Sequence, residues 1–466
     1  MEPERSHRVV LLTSSREELF DEILRLQKQN EILRQEVERL RGKLETPSKS
    51  KKESEKKSSG RSKPPHQWGR KAGHPGCTRP KPDHIDREVE QTLQTCPDCR
   101  QTLGAACDEM EHIQEDIVPS RVLVTRYRRK IYWCKNCRHK VDAPYAPDEV
   151  PNGYLGPMTL ITMAILKYHH GLPGNKIREL LAGMSGLKVT EGAIAQALQR
   201  MAHWLNVEAD EILKALRQAP HLHMDETGWK VNGVNHWLWT AVNERLAYYR
   251  IDRSRGSKVA KDILGESFEG ILITDFFSAY NKLSLRQQKC LVHLLRELRE
   301  CRARDGPQDY VGPYRKLRRI ISDAFRLNEK RASMTRLVFR RRVERLKKRL
   351  LDFSCAVYTN KDWKRLSGRL LKHQKQILAF LDVPGLPADN NAAERAIRPQ
   401  VIIRNRSFQN RTQKGAQAQS VLTSLLHTFK LRGENPLPAL QRAYLYHRQG
   451  NPSRPTLFTP STFPLG

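Results

Sequence analysis

Three carboxylates sit where an apolar run ends or a helix begins: Asp225 in HLHMDETGWKV, Asp275 in GILITDF and Glu394 in PADNNAAERAIRP. Acids brought together repel one another, and a divalent cation between them removes the conflict. Hard oxygen ligands suit Mg2+ or Mn2+, and a two-ion site held by three acids is an arrangement for phosphodiester displacement. Asn390, Glu394 and Arg398 fall at i, i+4 and i+8. One helix face would then present an amide, an acid and a guanidinium, a surface for metal and phosphate together. The prolines at 384 and 387 before this stretch and Pro399 after it would bound a short helix. Glu226, adjacent to Asp225 in an extended segment, would point the other way and reads as structural. A lone Asp at a strand end is more often a turn or cap residue, and spacing alone leaves that reading open.

A second constellation is built from thiols. CPDC (Cys96, Cys99) and CKNC (Cys134, Cys137) are CxxC pairs about 35 residues apart, the pattern of a tetrahedral four-thiolate Zn2+ site. Between them, DIVPSRVLVTRYRRKIYWC alternates apolar residues with Arg and Lys, which predicts ribbon strands with one basic face. Nine cysteines, an odd number in a long chain, favour metal binding in a reducing compartment over disulfides.

The elements that must position these groups follow from periodicity. HLHMDETGWKV, NHWLWTAVN and RLAYYRID read as strands, the first two joined by an Asn232-Gly233 hairpin. SKVAKDILG reads as a helix, GILITDF as a fourth strand, and QKCLVHLLRELREC as a short strand entering a helix. Three antiparallel strands, a helix and a further strand is the order of the ribonuclease-H-like fold. There the first and fourth strands are neighbours, so Asp225 and Asp275 would meet. Upstream, three helices are predicted within 156–218, the third capped by Thr190, in a helix-turn-helix-like order compatible with DNA reading.

The domain map is a multidomain α+β chain. Residues 16–45 carry a heptad with Leu19, Leu26, Leu33 and Leu40 at d and Ile23, Asn30, Val37 and Leu44 at a, which predicts a parallel coiled-coil homodimer. Residues 46–75 are a Lys/Ser-rich basic segment, expected to be a disordered linker. There follow a zinc-ribbon DNA-binding domain (76–150), the helical block (156–218) and the ribonuclease-H-like α/β core (219–300). A basic, helix-rich stretch (301–380), a segment with the third acid (381–440) and a C-terminal tail (441–466) complete the map. With 83 Lys and Arg against 51 Asp and Glu, the formal charge of +32 points to nucleic acid as partner. No run of 18 apolar residues predicts a spanning helix, and the first residues lack a signal-peptide pattern. A cytoplasmic, nucleoid-associated protein is expected.

Beyond these patterns, HMDETGWKVNGVNHWLW, ITDFFSAYN, CLVHLLRELRE and DNNAAERAIRPQVIIRNRSFQNRTQKGA resemble the bacterial insertion-sequence transposases of the IS-sixty-six family, TnpC type. The resemblance covers nearly the whole chain. It implies a DDE transposase that binds element ends and uses Mg2+ or Mn2+ to cleave and join double-stranded DNA. Carried over motif by motif, the acids are Asp225, Asp275 and Glu394, and the resemblance implies that 301–380 is a helical insertion in the core, whose last part is 381–440. His293, Arg395, Arg398, Arg404 and Arg406 are expected as DNA or phosphate contacts, with a helix-surface or core role the open alternative. Accessory transposition proteins are possible partners, since relatives travel with two smaller ones. Two departures stand out: FFSAY follows Asp275 where a Gly-Tyr pair is expected, and a glycine often found after the Phe of RNRSFQNR is missing. Competing readings are a non-catalytic zinc-containing DNA-binding regulator, an inactive transposase relic, and a nucleoid protein bound by charge alone.

Overall fold

The computed structural model describes residues 82–449, apart from 107, 109, 117–120, 284, 305–310 and 408. The coiled coil expected at 16–45 and the basic linker at 46–75 lie outside the described residues. The chain divides into two compact units between His112 and Ile113.

In the first unit the described chain is built around one turn. Thr95 and Thr102 form an isolated antiparallel bridge. Between them Arg100 N–H donates to the Cys96 carbonyl at 2.8 Å, and Arg100 takes φ 61°.

The second unit opens with a hairpin of β1 (Ile131–Cys134) and β2 (His139–Asp142). The ribbon expected between the two CxxC pairs is therefore displaced: its strands flank the second pair. The physical reason is local. Arg138, at φ 52°, returns its N–H to the Cys134 carbonyl at 2.8 Å, a tight turn that aligns the residues on either side. Residues 121–130 before it are held by side chains instead. The Tyr127 hydroxyl donates to Asp148, and Arg129 stacks 3.8 Å over the Tyr145 ring.

Then come α1 (Pro157–Ala164), which runs into a π-helical turn, α2 (Gly174–Ser185) and α3 (Glu191–Arg217). Gly186 ends α2 at φ 73°, and the Thr190 hydroxyl caps α3 by accepting from Ala193 N–H at 3.1 Å. Next are β3 (His221–Val231), β4 (Val234–Val242), β5 (Ala247–Asp252), α4 (Ser257–Leu264), β6 (Ile271–Thr274) and β7 (Gln287–Lys289). The sheet order is β5-β4-β3-β6-β7. β3 to β5 are antiparallel, whereas β3–β6 and β6–β7 are parallel. The first and fourth strands of this sheet are thus neighbours, as expected.

The rest is helical among the described residues: α5 (Leu291–Arg304), α6 (Val311–Glu329), α7 (Arg336–Cys355), α8 (Lys361–Lys372), α9 (Gln374–Ile377), α10 (Asn391–Ser407), α11 (Gln413–Leu431) and α12 (Pro436–Gln449).

Period-two alternation gives the sheet two apolar faces. Leu222, Met224, Trp239 and Leu272 share a core with Leu198, Met201 and Leu205 of α3 and Leu422 and Leu425 of α11. The helical block at 156–218 is therefore no separate domain. Its buried stripe completes the core of the sheet. The opposite face, with Trp229, Val231, Leu238 and Tyr249, packs on Ala393, Ala396 and Ile403 of α10. At β6 that face passes to a third core, where Ile271 and Ile273 meet Leu317, Leu346 and Trp363 of the insertion helices.

Both edge strands are covered, which blocks pairing with another chain. Along β5, Ala247, Tyr249 and Ile251 N–H groups donate to Thr428, Ser424 and Ser420 hydroxyls, spaced four apart on α11. Along β7, Gln288 accepts from Phe380 N–H and donates to the Ile377 carbonyl. The chain leaves the sheet for the insertion helices at Cys290–Leu291 and returns at Ala388–Asn390. The two points are tied: Leu291 N–H donates to the Ala388 carbonyl at 3.0 Å, and Asn390 N–H to Cys290 Sγ at 3.1 Å.

α10 runs through Pro399 rather than stopping before it. Pro399 and Arg395 lie on the exposed side, so the carbonyl that loses its partner faces water. The buried stripe of Ala393, Ala396, Ile397, Gln400 and Ile403 continues past the proline and holds the helix.

Candidate active site

The β3–β6 register pairs His223 with Ile273. Two residues further on, Asp225 stands level with Asp275, on the face that α10 covers. Glu394 lies in the first turn of α10. The other two acids act on Asp225. Burial pushes the Asp225 carboxyl up to about 7, and the charges of Glu226, Asp275 and Glu394 push the same way. Asp225 Oδ1 accepts from Glu226 N–H at 2.9 Å, and Asp275 Oδ1 accepts from Phe277 N–H at 2.8 Å. Glu394 rests between His293 and Arg296 of α5. Its Oε1 is 3.5 Å from His293 Nε2, and its Oε2 is 3.8 Å from Arg296. Glu394 Oε1 is nevertheless buried without a hydrogen-bond partner, as is His293 Nδ1.

Among the described residues no three His, Cys, Asp or Glu side chains are drawn tightly enough to grip one ion. The donor set still suits a hard divalent cation. Unbalanced carboxylate repulsion and an orphaned carboxylate oxygen are what such an ion would satisfy.

Asn390 does not stand beside Glu394 on a displayed face, as the helical spacing suggested. It is fully buried. Its Nδ2 donates to the Met224 carbonyl at 2.9 Å, and its Oδ1 is 3.2 Å from His223 Nδ1. Its own carbonyl accepts from Glu394 N–H at 3.2 Å. Asn390 thus fastens the start of α10 to the strand residue preceding Asp225. A buried amide whose hydrogen bonds reach two elements fixes their register.

The remaining letters of DETGW are all spoken for. Glu226 faces the other side of β3. Its Oε1 accepts from Arg255 Nε at 3.1 Å and from the terminal NH2 group at 2.9 Å, and its Oε2 accepts from the Tyr280 hydroxyl at 2.7 Å. Arg255 is itself sandwiched, 4.3 Å from the Trp237 ring and 4.0 Å from Phe277. Burial raises the Glu226 carboxyl, while Tyr280 and Arg255 pull it back. The Thr227 hydroxyl and the Gly228 carbonyl accept from Arg404 at 3.0 and 2.6 Å. Trp229 Nε1 donates to Asn410 at 2.7 Å. Of the five residues expected at DNA, Arg395, Arg398 and Arg406 are exposed. Arg404 is engaged by β3, and His293 by Glu394. Sequence reasoning missed the Arg255–Tyr280 clamp, because neither residue is close to Glu226 along the chain.

The profile of the Transposase IS66 family matches residues 152–418, more than half of the chain. The chain belongs to the IS66 transposase family. A second profile, described as the zinc-finger binding domain of transposase IS66, matches residues 94–138 and encloses all four CxxC cysteines. Two similar proteins come from Sinorhizobium fredii (strain NBRC 101917 / NGR234), both at 25% identity. Uncharacterized protein y4jD aligns over 76% of this chain and 75% of its own length. Uncharacterized protein y4qI aligns over 79% and 74%.

Both departures from the family pattern have structural counterparts. In place of Gly-Tyr stand Ala279 and Tyr280, both buried, and the tyrosine still reaches Glu226. After Phe408, where glycine is often found, Gln409 takes φ 76°, the left-handed region that favours glycine. Its Oε1 is buried without a partner.

The two CxxC turns have the same local build. In each, the residue after the second cysteine has positive φ and returns its N–H to the first cysteine's carbonyl. Backbone N–H groups, chiefly those of Cys99 and Cys137, hold the Cys96 and Cys134 thiols below their ordinary value, which favours the metal-binding thiolate. No helix among the described residues is long and apolar enough to cross a membrane.

Proposed function

We propose that this chain is a DDE transposase with a ribonuclease-H-like core, which cleaves insertion-sequence ends and joins them to target DNA. What supports the reading is the position of Asp225 and Asp275 just past the paired ends of two neighbouring parallel strands, with Glu394 in the first turn of the helix that packs on that face of the sheet. Two Mg2+ or Mn2+ ions held by these carboxylates would supply Lewis acidity to the attacking and leaving oxygens of an in-line displacement.

The chain's own residues do the rest. Asn390 holds Glu394 in register with β3. The Phe277 N–H orients Asp275 through Oδ1. Arg255 and Tyr280 hold the Glu226 carboxylate on the opposite face of β3, from where its charge still reaches Asp225. Exposed Arg395, Arg398 and Arg406 on α10 would receive phosphates, while His293 and Arg296 stand ready beside Glu394. Cys96, Cys99, Cys134 and Cys137 would hold one structural Zn2+ in a module that contacts element ends. The coiled coil would pair two protomers, and accessory transposition proteins would join at the ends.

The test is a cleavage and strand-transfer assay with full-length protein, DNA bearing candidate ends, and Mg2+ or Mn2+. Metal-dependent nicking at the ends that is lost in Glu394→Ala supports the proposal. Specific end binding without nicking, with the accessory proteins also present, turns the reading to a regulator or relic.

A further inference from the structure

Lys289 ends β7 and is fully buried. Its Nζ makes one hydrogen bond among the described residues, to Thr274 Oγ1 at 3.1 Å. That hydroxyl, also fully buried, donates in turn to the carbonyl of Asp275 at 3.0 Å. Thr274 and Lys289 are register partners across β6 and β7, and Cys290 N–H closes the ladder on the Thr274 carbonyl at 2.8 Å. The ammonium also lies 5.8 Å from the ring of Tyr280, the residue that clamps Glu226.

A buried ammonium satisfied by one neutral acceptor is an expensive group. An apolar side chain of similar volume there is commonly neutral or stabilising. Burial pulls Lys289 down to about 8, and Asp275 is the charge that pulls it back.

We infer that Lys289 is a positioning residue of the catalytic centre: through the Thr274 hydroxyl it fixes the peptide that carries Asp275. This rests on the reading of Asp225, Asp275 and Glu394 as the reacting acids. Lys289 touches neither substrate nor ion; it acts through Thr274.

The experiment compares Lys289→Met, Thr274→Val, Thr274→Ser and the Lys289→Met/Thr274→Val double variant in Mg2+-dependent end cleavage by the full chain, with Asp275→Ala as control. Outer partners of metal-holding residues typically contribute about 10- to 100-fold. Lys289→Met and Thr274→Val are each expected to lower kcat by about that factor, with KM for DNA unchanged. Thr274→Ser restores the rate, and the double variant is no slower than the worse single one, because both act on one chain of hydrogen bonds. The melting temperature of Lys289→Met does not fall. Wild-type cleavage by Lys289→Met, losses that multiply in the double variant, or a raised KM together with a lowered melting temperature would overturn the inference. If Lys289→Met does not fold, the split between Thr274→Val and Thr274→Ser decides. Cleavage retained in Asp275→Ala would instead bring down the reading of the acids, and this inference with it.

Discussion

Replacing Asp225 by Asn should stabilise the metal-free protein while abolishing its chemistry. Asp225 has its carboxyl moved from an ordinary 3.8 to about 7 by burial and by three neighbouring acids. At about 1.36 kcal/mol per unit, ionised Asp225 costs the metal-free fold roughly 4 kcal/mol as a ceiling. The sign follows from the raised value. The stability conferred by the protonated carboxyl is whole below 3.8 and is lost as pH rises through about 7. An asparagine does not ionise and escapes that loss. Between pH 5 and pH 7 the variant should gain on wild type by about 2.7 kcal/mol, then run parallel above. Thermal melting in EDTA at each pH reads this as a gap that widens by a few degrees. Added Mg2+ should close the gap by stabilising wild type, by about 2.7 kcal/mol at a hundred times its Kd, and should leave the variant unmoved. A gap of equal size at pH 5 and pH 8 would refute the electrostatic reasoning. Mg2+ stabilising both proteins alike would remove Asp225 from the metal site.

Asn390→Ala leaves the Met224 carbonyl and the His223 ring without their buried partner. It should cost about 2–4 kcal/mol in denaturant titration and lower cleavage more than end binding. Gln409→Gly relieves the left-handed backbone at φ 76° and should raise stability by about 1 kcal/mol, seen as a higher melting temperature. Arg398→Ala and Arg406→Ala should weaken DNA binding and each reduce its salt slope by about 1, with melting unchanged. Arg404→Ala should do the reverse, lowering stability by about 1–3 kcal/mol through the lost bonds to Thr227 and Gly228, with the salt slope kept. Removing Zn2+ by chelation should abolish protection of the Cys96 and Cys134 turns in hydrogen exchange and weaken end binding.

Local patterns made much of the sheet legible. Alternation in HLHMDETGWKV and the Asn232-Gly233 turn define β3 and its hairpin, and the apolar run before Asp275 defines β6. The adjacency of Asp225 and Asp275 follows from strand order, and the opposite facing of Glu226 from the period of two. The misreadings occurred where long-range contacts outvote local signals. Pro399 marks a helix end locally, yet the apolar stripe on both sides of it keeps α10 whole. The spacing of Asn390 and Glu394 looks like one exposed face. Nothing in the spacing reveals that the amide turns inward to β3. The stripe on α3 reads equally well as the flank of a DNA-reading motif or as core, and its partners on β3 and α11 are far away in sequence. Lys289, in the polar QQK beside an apolar run, gave no warning that all three side chains are buried.

The tie between Cys290–Leu291 and Ala388–Asn390 gives the insertion the form of a loop closed on a stem, with about a hundred residues between bonded ends. Because the stem already brings the ends together, a change of length inside the loop adds only a logarithmic entropy term and does not pull on either acid. The insertion can therefore lengthen, shorten or exchange its helices while Asp275 and Glu394 keep their spacing, provided that Ile271 and Ile273 stay covered. A graft that exchanges the segment inside this stem is the natural unit for replacing the insertion while both acids keep their places.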